Sequence, residues 1–245
     1  MAPIKGVAFD AEGVLFEFEE QGHHLAHRLA AQEAGINLTA YEAVKLIPNL
    51  CGGPGNVIAQ QIFGLIESRD ITPNLSAEEI QERSRFHFDR LFAEIEDGTR
   101  KIRPRPRLLR AIRELKEMGI PMMVGSSTPL KEFNVYFQAT GLDQVFSPDQ
   151  IVLANEKMGI RHKPEPDIYL ETARMMGIDP EEQLVIEDSL RGLNAGIAAK
   201  SPVMGMTVYD TTKAIIPLYQ AGAFRVFSSW AEVNILEVIN NYNNR

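Results

Sequence analysis

Between Phe16 and about Gly98 the sequence offers helical patterns only, whereas outside that stretch short apolar runs alternate with helices. That interruption is the strongest constraint on the fold. The runs Gly6–Asp10, Pro121–Ser126, Leu184–Asp188 and Pro202–Val208 are almost continuously apolar, with Arg225–Ser228 a weaker fifth. A strand covered on both faces needs this character, because neither side meets water. Between the runs, "PRPRLLRAIRELKEMG" starts after prolines, places Leu108, Leu109, Ile112 and Leu115 on one stripe, and stops at Gly119. "PEPDIYLETARMMG" follows the same plan up to Gly177. Strand alternating with helix predicts an α/β fold with a doubly wound parallel sheet. The interrupting stretch holds helices near Glu19–Ala34, Ala40–Leu46, Asn56–Glu67 and Ser76–Glu96, the last opened by the capping box "SAEE" (Ser76 and Glu79). Inserted directly after the first strand, these helices predict a separate cap over residues 16–99, on a core of residues 1–15 and 100–245. The return linker, "DGTRKIRPRPR", reads as a stiff hinge with a solvated surface.

Composition narrows the partners. With 245 residues and 44% apolar content the chain can bury a sizeable core, and its formal charge of −8 argues against nucleic acid or an anionic membrane as partner. A local pocket can still hold a small anionic substrate. Cys51 is the lone cysteine, so an intrachain disulfide and a cysteine-built zinc site are both excluded. No apolar run reaches the roughly 20 residues of a membrane helix. The opening "MAPIKGVAFD" enters a strand at once, without the apolar region of a signal peptide, which suits a reducing, cytoplasmic setting. Monomer and homodimer both stay open.

Open α/β sheets bind ligands at the carboxyl ends of their strands. The first strand ends at Asp10, with Glu12 in the following loop, and the "PMMVG" strand ends at Ser126, followed by Ser127 and Thr128. "GIRHKPEPDIY" sets Lys163 before a proline-started helix, and "LVIEDS" ends in Glu187 and Asp188. Singly, these residues read as helix caps or surface charges. Together they form a phosphoryl-transfer site. A carboxylate nucleophile must approach an anionic phosphoryl group, so charge has to be neutralised; Asp10 and Asp188 could hold Mg2+ through hard oxygen ligands. Lys163 would neutralise further, the Ser126 hydroxyl would orient a phosphoryl oxygen, and loop N–H groups near Glu12, Gly13 and Ser127 could cradle the rest. The intermediate would be an aspartyl phosphate on Asp10.

In order and character, "FDAEGVL", the Ser126 strand end, "KPEPDIY" and "EDSLRGLNAGIAA" match the four motifs of the haloacid dehalogenase superfamily. The helical insert resembles its subclass with a four-helix cap on a Rossmann-like core, the branch of β-phosphoglucomutase-like enzymes and many metabolite phosphatases. That resemblance implies Asp10 as nucleophile and metal ligand, the Glu12 carbonyl as second ligand, and Asp188 as third with Glu187 beside it. It implies a Mg2+-dependent phosphoric monoester hydrolase acting on a small phosphorylated metabolite, a sugar phosphate or similar. A phosphomutase and a catalytically impaired phosphate-binding protein are the alternatives. The chain departs from the pattern at Lys200, where "AAG" is common, in "RPRPRLL", where the linker usually carries glycine, and at Glu12, where the general acid/base is usually aspartate.

Glutamate and aspartate have similar intrinsic pKa values, about 4.3 and 3.9, so Glu12 keeps the proton chemistry and changes the reach by one methylene. A misplacement of about 1 Å at a reacting group costs on the order of 100-fold. Haloacid dehalogenases proper read Asp-Ala-Tyr-Gly here and need no metal, but "EDS" supplies the acid of the phosphatase branch. Phosphonoacetaldehyde hydrolases place a Schiff-base lysine in the cap, where Lys45 also reads as an exposed charge. On the first cap helix, His23 is the candidate for meeting substrate. The one-turn spacing of His23 and His27 could bind metal, though no third ligand is evident. "CGGPGN" (Cys51–Asn56) is either a specificity loop or a tight connection.

Overall fold

In the computed structural model, residues 2–18 and 20–244 are described. The chain divides into two compact units, Met1–Glu17 with Ile102–Arg245, and Phe18–Lys101.

The first unit is built on six parallel strands, β1 (Gly6–Phe9), β2 (Met122–Ser126), β3 (Ile151–Leu153), β4 (Gln183–Glu187), β5 (Val203–Met206) and β6 (Arg225–Phe227). Their order in the sheet is β3-β2-β1-β4-β5-β6. The five expected runs all form strands. The edge strand β3 was not expected: three residues are too few to show as an apolar run, and its pairing with β2 defines it. Every residue of β1, β2, β4 and β5 is buried, as the near-continuous apolar runs require. The helices of this unit are α5 (Leu108–Glu117), α6 (Leu130–Thr140), α7 (Asp167–Met176), α8 (Leu190–Ala198), α9 (Thr212–Gln220) and α10 (Ile235–Asn243), numbered after the four of the second unit. Leu108, Ala111, Ile112 and Leu115 of α5 are buried, but Leu109 is exposed, one position off the inward stripe where the sequence had placed it.

The return linker is solvated at Arg103 and Arg107, as expected, but not at Arg105. The Arg105 guanidinium is buried and donates to the carbonyls of Gly13 (2.5 Å), Thr207 (3.0 Å) and Ser228 (2.6 Å). It ties the loop after β1 to the ends of β5 and β6. The indole of Trp230 donates to the next carbonyl of that loop, Val14, at 2.9 Å. Unsatisfied buried carbonyls are costly, and these two donors fix the loop by satisfying them. At Lys200 the backbone is left-handed (φ 66°), the conformation for which the related "AAG" pattern supplies glycine.

The second unit consists of α1 (His23–Ala34), α2 (Ala40–Leu46), α3 (Gly55–Glu67) and α4 (Ala77–Glu96). Glu19, the expected start of its first helix, lies outside the described residues, and α1 begins at His23. Ala26, Ala30, Ala31 and Ala34 are buried on α1 and small enough to let it pack closely against α4, where Ile80, Ser84 and Leu91 are buried in turn. Ser76 and Glu79 form the expected capping box, and Thr39 and Glu42 form another. Lys45 is exposed on α2. Among the described residues no helix is long and apolar enough to cross a membrane.

Candidate active site

β1 lies between β2 and β4, with Phe9 opposite Val124 on one side and Ile186 on the other. This register brings Asp10, Ser126 and Glu187 out at one end of three adjacent strands, with Asp188 one residue further on. The Asp10 N–H extends the ladder by donating to the Ile186 carbonyl at 2.9 Å.

Lys163 enters from the loop before α7 and is buried. Its ammonium pairs with Asp10 and, at 2.7 Å, with Glu187, and donates to the Gly125 carbonyl at 2.8 Å. The Tyr169 hydroxyl donates to the same Glu187 oxygen at 2.5 Å, and the Lys163 nitrogen lies 4.9 Å from the centre of the Tyr169 ring. Glu187 is packed so tightly that a Cβ on Gly192 would fall 1.8 Å from its Oε1. The Arg191 guanidinium donates to the Lys163 carbonyl, fixing the loop that delivers the lysine.

One ammonium faces three carboxylates here. Burial pushes the Asp10 carboxyl up to about 8; Lys163 pulls against this, and Glu187 adds to it. Burial opposes the charge on Lys163 too, yet Asp10 and Glu187 hold it above the ordinary lysine value. Lys163 is therefore held in its charged form. Oxygens of Asp10, Glu187 and Asp188 lie within 4.8 Å of one another, the only such group of three metal-ligating side chains among the described residues. Hard carboxylate oxygens gathered this closely suit a hard divalent cation.

Glu12 is half-buried, and its Oε1 accepts from the Thr128 hydroxyl at 2.5 Å. That hydroxyl accepts from Ser126 Oγ at 2.8 Å, and Ser126 Oγ accepts in turn from the Thr128 N–H at 3.1 Å. Ser127 Oγ accepts from the Lys163 N–H at 3.1 Å. The Gly13 N–H, expected in a phosphate cradle, donates to the Phe16 carbonyl at 3.1 Å inside its own turn. Gly13 has φ +77°, and a Cβ there would lie 2.1 Å from Asp188 Oδ2. Seven of the singled-out residues, Asp10, Glu12, Ser126, Ser127, Lys163, Glu187 and Asp188, thus gather at the ends of β1, β2 and β4, with Gly13 in the same loop as Glu12.

His23 belongs to the helical unit. Its ring stacks on Phe88, with centroids 4.3 Å apart, and lines a cavity of about 320 Å3 with His27, Ser84 and Arg85. His27 bonds Ser84 Oγ through Nδ1 at 3.1 Å, and burial beside His23 pushes it down to about 4, so it is neutral near pH 7. His23 and His27 belong to no metal-ligating group of three among the described residues.

Tyr169, Arg105, Trp230, Arg191 and the role of Thr128 escape sequence reasoning. Tyr169 lies within "KPEPDIY" and Thr128 directly follows Ser127, but nothing in the sequence assigns either a role.

The haloacid dehalogenase-like hydrolase family model matches residues 4–200. Over 239 residues the chain is 27% identical to the phosphorylated carbohydrates phosphatase of Thermotoga maritima, covering 96% of this chain and 100% of that one. It is 26% identical over 239 residues to Suppressor of Quenching 1 of Arabidopsis thaliana, covering 96% of this chain but only 21% of that protein. A crystal structure of a hydrolase of the same family from Deinococcus radiodurans, with bound phosphate and sodium, matches with a TM-score of 0.75 at 26% identity, covering 98% of each chain.

Proposed function

The chain belongs to the haloacid dehalogenase-like hydrolases, and we propose that it is a Mg2+-dependent phosphatase of a small phosphorylated metabolite, working through a phosphoryl group carried on Asp10. The observation that carries this reading is Lys163, buried between Asp10 and Glu187, with Asp188 in reach of the same point. Similarity to the Thermotoga maritima phosphatase supports a sugar phosphate or a related ester as substrate. The helical unit is proposed as the cap that selects it, with His23 as a contact.

Asp10, Asp188 and the Glu12 carbonyl would hold Mg2+, with Glu187 beside them, and the ion would offset the charge of the phosphoryl oxygens. Lys163 neutralises further, while the loop that runs from Ser126 through Ser127 orients the phosphoryl group. An Asp10 oxygen attacks phosphorus, the bond from phosphorus to the leaving oxygen breaks, and Glu12 gives that oxygen a proton. Glu12 then takes a proton from a water whose oxygen attacks the same phosphorus. The phosphorus–Asp10 bond breaks, and inorganic phosphate leaves with Asp10 restored.

The test is phosphate release from a panel of sugar, carboxylate-bearing and aryl phosphates. Release is expected with Mg2+, and it should fall to background with a chelator and return when Mg2+ is restored. No release from any ester with Mg2+ present overturns the reading. Gly13 supplies a sharper check. Gly13→Ala forces a left-handed alanine, costing about 1–2 kcal/mol, and drives its methyl into Asp188. A reacting site displaced by about 1 Å loses on the order of 100-fold, so kcat/KM is expected to fall by that factor and half-saturation to need more Mg2+. Unchanged Mg2+ dependence would place Asp188 away from the metal.

A further inference from the structure

We infer that Thr128 is a positioning residue for the acid/base carboxylate, its hydroxyl holding Glu12 so that a glutamate serves where the related motif carries aspartate; the inference rests on the phosphatase reading above. Glutamate brings one more rotatable bond than aspartate, and therefore a wider set of carboxylate positions to exclude before proton transfer. Thr128 excludes them. It is buried, β-branched and stiff at χ1, and its own N–H is tied to Ser126 Oγ at 3.1 Å. Its hydroxyl carries a single proton. With Ser126 Oγ donating into it at 2.8 Å, that proton goes to Glu12 Oε1 at 2.5 Å. Hydrogen bonds ordered in one direction reinforce one another. The chain from Ser126 through Thr128 to Glu12 thus ties the end of β2, whose following loop is proposed to orient the phosphoryl group, to the group proposed to protonate the leaving oxygen. An aspartate at position 12, one methylene shorter, would not span the distance to Thr128 that Glu12 spans here.

A positioning role differs from a structural one in which substrates it affects. Leaving groups that depart without a proton do not need Glu12 in the first step, whereas sugar and alkyl alkoxides do. Because kcat/KM covers only the steps up to departure of the first product, the attack of water does not enter it. Wild type, Thr128→Val and Thr128→Ser are therefore compared by kcat/KM with Mg2+, on dinitrophenyl phosphate and on the best sugar or alkyl phosphate. Thr128→Val is expected to lose roughly 10- to 100-fold on the alkyl ester, the lower part of the general-acid range, and to stay within about threefold of wild type on the dinitrophenyl ester. Thr128→Ser keeps the hydroxyl and is expected to recover most of the loss. In a Glu12→Gln background, Thr128→Val should have no further effect, because the group that it positions no longer exchanges a proton. Thermal melts followed by Trp230 fluorescence establish that the variants are folded, and Thr128→Ala repeats the test should the valine variant not fold. Equal losses on both esters, no loss, a gain on the alkyl ester, or an undiminished loss in the Glu12→Gln background each overturn the inference while leaving a phosphatase standing. A wild-type protein that releases no phosphate from either ester removes the phosphatase reading, and the inference with it.

Discussion

Replacing Asp10 with asparagine is expected to lower phosphate release by more than about 10³-fold, the scale seen when an enzyme loses its nucleophile, while the core unit stays folded. The two side chains have the same shape, so packing at the end of β1 is unaltered. The amide has no carboxylate oxygen with which to attack phosphorus, and covalent catalysis ends with it. Lys163 is not stranded by the change, since it keeps Glu187 at 2.7 Å and the Gly125 carbonyl at 2.8 Å. Burial disfavours a charge on Asp10, so the melting temperature is expected to hold or rise. Steady-state release on the best substrate, with a thermal melt of the same preparation, checks both halves. Activity within tenfold of wild type would remove Asp10 as nucleophile; lost activity with a lost fold would say nothing for it, which is why the melt is paired with the assay.

Lys163→Met is expected to have the largest effect on stability. The methionine fills much the same volume but leaves the fully buried Glu187 without its cation, while Asp10, already pushed up by burial, is driven to take a proton. Removing one partner of a buried ion pair costs about 3–5 kcal/mol, because the remaining charge is left uncompensated. At roughly 2–4 °C per kcal/mol for a unit of this size, the melting temperature should fall by about 6–20 °C. Trp230 is the chain's single tryptophan and lies buried in the core unit, so its fluorescence follows that unit without signal from the helical one. Added Mg2+ should recover part of the loss in stability by neutralising the same carboxylates, but not the activity. A melt within a degree or two of wild type, without Mg2+, would mean that the pair is not the keystone of the strand ends.

The sheet and the strand-end residues were legible because strands buried on both faces write their apolar character directly into the sequence, and the topology then brings their last residues together. Asp10, Ser126 and Asp188 could be named for that reason, and Lys163, in the loop before α7, through the "KPEPDIY" motif. Contacts made by the loops between distant segments were not legible. Thr128 and Glu12 lie 116 residues apart, Arg105 and Ser228 lie 123 apart, and Trp230 meets Val14 across 216. Nothing in "RPRPR" distinguishes the arginine that is buried from those that are solvated, because the carbonyls it satisfies come from β5, β6 and the first loop. Likewise Leu109 reads as part of an apolar stripe, and only packing shows that α5 turns it outward. The strand β3 escaped for a different reason, being defined by its neighbour rather than by its own three residues.

The most direct test of the account is to catch the phosphoryl group on its carrier. Wild-type protein mixed with its best substrate and Mg2+, quenched in acid during turnover and digested, is expected to show one phosphoryl group on the peptide containing Asp10, and none in Asp10→Asn. Turnover that leaves that peptide unlabelled under conditions where product release shows a burst, or a label on another residue, would contradict it.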